Sequence, residues 1–259
     1  MSNVQSKMMS SVSSSRVTSP FCGQGSGRNV FTKLRKEIPP HDLYIEPYVG
    51  TGNMFFKLLN RNSDNIIIND KNKDLMDMYR ILKDTKERTF RKDLNSIPKQ
   101  EQFLRTSTNK DLDKFMKYIL KYCNTFGSTG EGKLYKDTNP ANKLKYLDRY
   151  QEHLKDVRIF NEDALDVIKR YDAPSTFFFL HPPYEVSTDY PDIQLHYNSL
   201  DKVLNNIKGK FMLLVNDEPF TRKLFSKFNP KPISISKIQN KEDSQASKPR
   251  TELLIKNFT

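Results

Sequence analysis

The sequence predicts an α/β protein built on a parallel, doubly wound sheet, and three observations carry that expectation. Short apolar runs rich in Ile, Phe and Val recur along the chain, stretches with helical spacing separate them, and several runs end in turns of Gly, Asp or Pro. Strands that are apolar at every position need cover on both faces, as parallel strands flanked by helices have. With 259 residues, including 17 Phe and 12 Tyr, the chain can fill such a core and still carry an insertion.

In chain order, LYIEPYV (43–49) reads as the first strand, and the GTG that follows opens a helix to about Asn60. NIIIND (65–70) is the second strand. KDLMDMYRILKD (73–84) is a helix, with Leu75, Met78, Tyr79 and Leu82 on one face. VRIF (157–160) is the third strand, before the helical DALDVIKRY, and STFFFL (175–180) is the fourth. The helix LDKVLNNIKG leads to the fifth, KFMLLVND (210–217). ISISKIQ (233–239) and ELLIKNF (252–258), separated by the polar KEDSQASKPR, read as an antiparallel ending. Residues 85–155 are charged and largely helical, which predicts an insertion. The Ser-rich start to about Pro20 reads as a flexible tail, leaving 21–84 and 156–259 as the main domain.

The net charge of +12 and a pI near 9.5 fit either a polyanion partner or a Lys-rich protein of an AT-rich, viral or phage-like genome. Cys22 and Cys123 form neither a disulfide framework nor a metal-ligand spacing, and the four histidines are scattered. No apolar run approaches a membrane span of about 18 residues, and the start lacks a secretory apolar region, so a soluble intracellular protein is expected.

Two constellations carry chemistry. In IEPYVGTGNMFFKLL (45–59), a strand runs into Gly50 and Gly52, a turn whose backbone a ligand can approach closely. Asp70 ends the next strand, where an acid can accept hydrogen bonds from ribose hydroxyls; its structural alternative is to cap the helix near Lys73. Together they predict an adenosine-bearing cofactor, and the absence of a Gly-x-x-x-x-Gly-Lys run argues against a nucleoside triphosphatase. In FFFLHPPYEVS (177–187), Pro182 and Pro183 cannot continue a ladder, so their carbonyls stay available beside the ring of Tyr184. Carbonyl acceptors beside an aromatic face suit a planar group bearing an amine. A plain rigid turn with Tyr184 in the core is the structural alternative.

EPYVGTG, IINDKNKDLMDMY, the PPY turn, KGKFMLLVND and ELLIKNF together resemble the Dam-type DNA adenine-N6 methyltransferases, collinearly from about Gln24 to Phe258. The resemblance implies a Rossmann-like sheet binding S-adenosylmethionine through Glu46, Pro47, Tyr48, Gly50, Gly52, Asp70 and Asp163. QGSGRNVFTKL (24–34) is similar to the family's N-terminal cofactor motif, whose basic residue corresponds here to Arg28 or Lys33. KYCNTFGSTGEGKLY lies where the family carries its DNA-recognition elements, which implies DNA contacts from Lys121, Asn124, Ser128 and Lys133. Double-stranded DNA is the implied partner, with RNA adenine as the alternative acceptor.

The family's catalytic motif is Asp-Pro-Pro-Tyr: the Asp side chain and first proline carbonyl accept the adenine amine's protons, and the tyrosine stacks on a base turned out of the duplex. This sequence keeps Pro182, Pro183 and Tyr184 but has His181 in first place. Neutral imidazole offers one acceptor nitrogen where a carboxylate offers two charged oxygens, and imidazolium offers none. Two outcomes are therefore expected of His181: slowed transfer, with Asp163 or Glu185 as compensating acids, or an inactive methyltransferase-like protein that binds nucleic acid or a protein partner.

Overall fold

The computed structural model describes residues 19–21, 28–58, 65–84, 114, 118, 147–184, 190–235 and 250–259. Strands β1 (Leu43–Glu46), β2 (Ile66–Asn69), β3 (Val157–Phe160), β4 (Thr176–Leu180), β5 (Lys210–Asn216), β6 (Lys231–Ile235) and β7 (Arg250–Lys256) form one seven-stranded sheet in the order β3-β2-β1-β4-β5-β7-β6. β1 to β5 are mutually parallel, and β7 runs antiparallel between β5 and β6. The chain winds outward through β2 and β3, then crosses back to place β4 on the other side of β1. That reversal makes a crevice at the carboxyl edge, where open α/β sheets bind ligands.

Alternation within the strands explains why they read as continuous apolar runs. Tyr44, Ile66, Ile68, Phe177, Phe179, Met212 and Leu214 face one core, packed by residues of α1 (Arg28–Leu34), α2 (Lys73–Asp84) and α3 (Leu147–Leu154). Ile45, Ile67, Phe178, Leu180, Phe211, Leu213 and Val215 face the other, beneath α4 (Ala164–Tyr171) and α5 (Ile193–Leu204). Each such buried side chain contributes about 1.5–3 kcal/mol relative to exposure. β6 is the edge strand, exposed at Lys231, Pro232 and Ser234, where a proline costs no ladder bond on its open side.

Two elements differ from the sequence reading. No α-helix follows the glycines within the described residues; a 3-10 turn spans Phe55–Lys57, with Phe56 N–H bonded to the Gly52 carbonyl at 2.9 Å and Lys57 N–H to that of Met54 at 2.8 Å. Met54, Phe55 and Phe56 are all buried, and three consecutive residues cannot all lie on one helical face. Helix α5 starts at Ile193 rather than near Leu200, because the Asp192 carboxylate accepts the Leu195 N–H at 2.8 Å and caps it there. The earlier start places His196 and Tyr197 on the helix.

Candidate active site

Because β1 to β4 are parallel, the turns that follow them meet at one edge of the sheet. After β1 the chain runs Glu46-Pro47-Tyr48-Val49-Gly50-Thr51-Gly52. Gly50 and Gly52 hold left-handed backbone, φ 49° and 71°, the region glycine enters without steric cost. A Cβ on Gly50 would meet nothing within 4 Å, so its backbone is open to a ligand; one on Gly52 would overlap the Tyr79 hydroxyl. Gly52 is thus the floor of the turn and Gly50 its open surface. Tyr79 clamps it from below, donating to the Gly50 carbonyl at 2.9 Å.

Asp70 lies directly after β2. Its Oδ2 accepts the Gly50 N–H and its Oδ1 the Asn72 N–H, both at 2.9 Å. The helix-capping alternative falls to Asn72, whose side chain accepts from Leu75 N–H at 3.0 Å. Asp70 instead ties the end of β2 to the glycine turn, and it stays half-buried at the cleft. After β3, Asp163 caps α4 through the Leu165 N–H at 2.9 Å, and its other oxygen lies 3.8 Å from Lys71 Nζ. Asn69 locks these turns together: its amide donates to the carbonyls of Pro47 and Glu162, and its oxygen accepts the Glu162 N–H.

Glu46 is 2% exposed, and its Oε1 accepts the Tyr44 hydroxyl at 2.6 Å. Burial raises its pKa to about 8, the hydrogen bond from Tyr44 opposing. At neutral pH this is a largely protonated carboxyl beneath the turn. Pro47 is buried, and Tyr48 is buried with its hydroxyl 2.9 Å from His196 Nε2.

At the end of β4, Pro182 is buried and His181, Pro183 and Tyr184 are half-buried. His181 Nε2 lies 2.6 Å from Tyr184 Oη, with the two rings edge-on at 5.4 Å. Phe31 of α1 packs edge-on against both His181, at 5.6 Å, and Phe179, at 6.0 Å. The sequence reading left the carbonyls of this turn available; that of Pro183 accepts the Tyr197 hydroxyl at 3.0 Å.

The structure thus gathers Glu46, Pro47, Tyr48, Gly50, Gly52, Asp70, Asp163, His181, Pro182, Pro183 and Tyr184 at one edge. Of the two basic candidates, Arg28 opens α1 and Lys33 is exposed in its last turn. Lys121, Asn124, Ser128, Lys133 and Glu185 lie outside the described residues. Sequence reasoning missed Asn69, Asn161, Tyr190, His196 and Tyr197. Asn161 donates to the carbonyls of Asp70 and Lys71 at 2.8 and 3.0 Å. Position at a strand end, Asn69 the last residue of β2 and Asn161 the first after β3, was the available signal for the two asparagines. The other three carry none, because the start of α5 brings them into place. Among the described residues no group of His, Cys, Asp and Glu has a metal-binding arrangement, and no helix is long and apolar enough to cross a membrane.

A seven-stranded sheet of this order with these turns at its carboxyl edge is consistent with the S-adenosylmethionine-dependent methyltransferase fold. The family of D12 class N6 adenine-specific DNA methyltransferases matches residues 24–242, and the chain belongs to that family. It is similar to the Type II methyltransferase M.MjaIII of Methanocaldococcus jannaschii, 24% identical over 92% of this chain and 99% of that protein. It is also similar to a DNA adenine methylase of Serratia marcescens, 41% identical over 51 residues, 20% of this chain and 18% of that one. Methyltransferases of this family use S-adenosylmethionine, and their substrate is DNA. The donor set fits that cofactor: Gly50 is open where a Cβ would stand, and the half-buried Asp70 carboxylate borders it.

Proposed function

We propose that this protein transfers the methyl group of S-adenosylmethionine to N6 of adenine in double-stranded DNA, with the target base turned out against the Pro-Pro-Tyr turn and His181 serving where the family has aspartate. The observation that carries the reading is the convergence of the glycine turn, Asp70, Asp163 and the His-Pro-Pro-Tyr turn on four adjoining strand ends. Asp70 would hold the cofactor's nucleoside against the open Cα of Gly50, with Asp163 beside them. When bound, the cofactor supplies an electrophilic methyl group on a sulfonium.

The adenine amine is a weak nucleophile because its lone pair is delocalised into the ring. Acceptors for its protons localise that pair and offset the positive charge that develops on nitrogen. His181 can act so in one tautomer: Nε2–H donates to Tyr184 Oη, across the 2.6 Å contact, and Nδ1 keeps the lone pair. The Pro182 carbonyl is the second acceptor. On methyl transfer, His181 Nδ1 would take the one proton that the amine must lose and pass it to solvent. A neutral acceptor makes a bond about half as strong as a carboxylate's. By comparison with losing one preorganised polar group, His181 slows transfer by about 10²–10³ relative to aspartate.

The test is transfer of labelled methyl to adenine-rich duplex DNA by the native protein and by His181→Asp, with RNA as competitor. Slow native transfer that rises about 10²–10³ in the variant is expected. A native protein that binds cofactor and DNA but transfers nothing would sink the proposal. It would support the second reading, a methyltransferase-like protein binding nucleic acid or a protein partner, which is favoured by a neutral imidazole, His181, standing where the family has a carboxylate.

A further inference from the structure

The first turns of helix α5 present two adjacent residues to two different turns of the candidate site. His196 Nε2 lies 2.9 Å from Tyr48 Oη in the turn after β1, and Tyr197 donates to the Pro183 carbonyl at 3.0 Å in the turn after β4. Both tyrosine rings are buried, Tyr48 5% and Tyr197 4% exposed. His196 is wedged from a third side by Tyr190, 4.7 Å between ring centroids, and Tyr190 carries Lys71 over its ring at 5.2 Å. Lys71 in turn lies 3.8 Å from Asp163. One helix start therefore reaches the cofactor side through His196 and the amine side through Tyr197.

The sheet does not do this by itself. β1 and β4 pair through Leu43↔Thr176, Tyr44↔Phe177 and Ile45↔Phe178, and both strands end before the turns begin. Beyond the ladder, the spacing of the two turns is set by what packs on them. An in-line transfer needs its reacting atoms within about 3–3.5 Å, and small misplacement is costly.

We propose that His196 and Tyr197 are positioning residues, a single clamp on α5 that holds the glycine turn and the Pro-Pro-Tyr turn at the spacing transfer requires. This rests on the methyltransferase reading of the same site. Neither residue touches the reacting atoms; each acts through a turn.

Tyr48→Phe and Tyr197→Phe each remove one hydroxyl and leave the rings packed. In each, kcat at saturating cofactor and DNA should fall about tenfold, the upper range for one hydrogen bond, with both KM values within about threefold of native. Because one broken arm releases the clamp, the double variant should lose about tenfold as well, rather than the product of the two losses. His196→Leu should match Tyr48→Phe, and His196→Gln, which keeps a polar group toward Tyr48, should recover most of the loss. Unchanged kcat, a loss confined to KM, or single losses that multiply to about a hundredfold would overturn the clamp. Amide hydrogen exchange reads the same device without turnover. Tyr197→Phe should speed exchange across 48–57 as well as around Tyr184, and Tyr48→Phe should do the converse; exchange faster only beside the altered residue overturns it. A native protein silent in transfer would count against the methyltransferase reading alone, and exchange would still decide the clamp.

Discussion

Glu46 offers the sharpest test of the structure, because its charge state links the site to the stability of the fold. Its carboxyl is 2% exposed, accepts one hydrogen bond from Tyr44, and titrates near 8 in place of the ordinary 4.5. In the unfolded chain the proton leaves near pH 4.5; in the folded protein it stays to about pH 8. Between those values folding takes up one proton, so rising pH favours the unfolded chain by about 1.4 kcal/mol per pH unit. Over the whole window the loss is about 5 kcal/mol, a large share of a total of about 5–15 kcal/mol for a typical domain. Stability from this group is full below pH 4.5 and gone above about pH 8. Glu46→Gln keeps an oxygen for Tyr44 and cannot ionise. Its buried amide adds a cost of about 1–3 kcal/mol that does not vary with pH, so the slope is the diagnostic and the offset is not. Urea unfolding at several pH values from 5 to 9 should show the native protein weakening relative to the variant as pH rises. A native-minus-variant difference that is flat with pH, or that grows in favour of the native protein, would refute the buried protonated carboxyl.

Three further outcomes follow from the same geometry. Asp70→Asn leaves one amide facing a backbone N–H and should weaken cofactor binding at least tenfold, with about 1–3 kcal/mol lost from stability, read by calorimetric titration and by denaturation; unchanged affinity would remove Asp70 from the cofactor site. Tyr184→Phe keeps the ring for stacking but removes the hydroxyl that faces His181 Nε2, and should lower kcat by about threefold to tenfold with little change in DNA affinity; equal activity would mean the hydroxyl does not select the tautomer. Gly52→Ala and Gly50→Ala both place a Cβ on left-handed backbone, at φ 71° and 49°, and should each cost about 1–2 kcal/mol. Gly52→Ala should lose about 1–3 kcal/mol more by pressing its methyl on Tyr79 and Phe56, whereas Gly50→Ala meets no neighbour and should lose cofactor affinity beyond its strain. Thermal melts with and without cofactor separate the two.

Much of this was legible in the sequence. NIIIND, STFFFL and KFMLLVND could be read as doubly covered strands because alternate residues feed two different cores, leaving almost no polar positions along them. Gly50, Gly52 and Asp70 could be read because a turn and a strand end are local features. The helix after the glycines was misread for the converse reason: Met54, Phe55 and Phe56 fit a helix's apolar content, and only their burial on all sides shows that no single face holds them.

By itself, the sequence determined the sheet, the order of its motifs, and the replacement of an aspartate by His181 in the Pro-Pro-Tyr turn. Those properties depend on residue type and near neighbours in the chain. Tertiary structure alone decided the charge of Glu46, the Tyr197 hydroxyl on the Pro183 carbonyl, and the joining of Tyr48 to His196 across 148 positions. Desolvation and hydrogen-bond partners depend on what the fold brings within a few ångströms, and no local pattern specifies that.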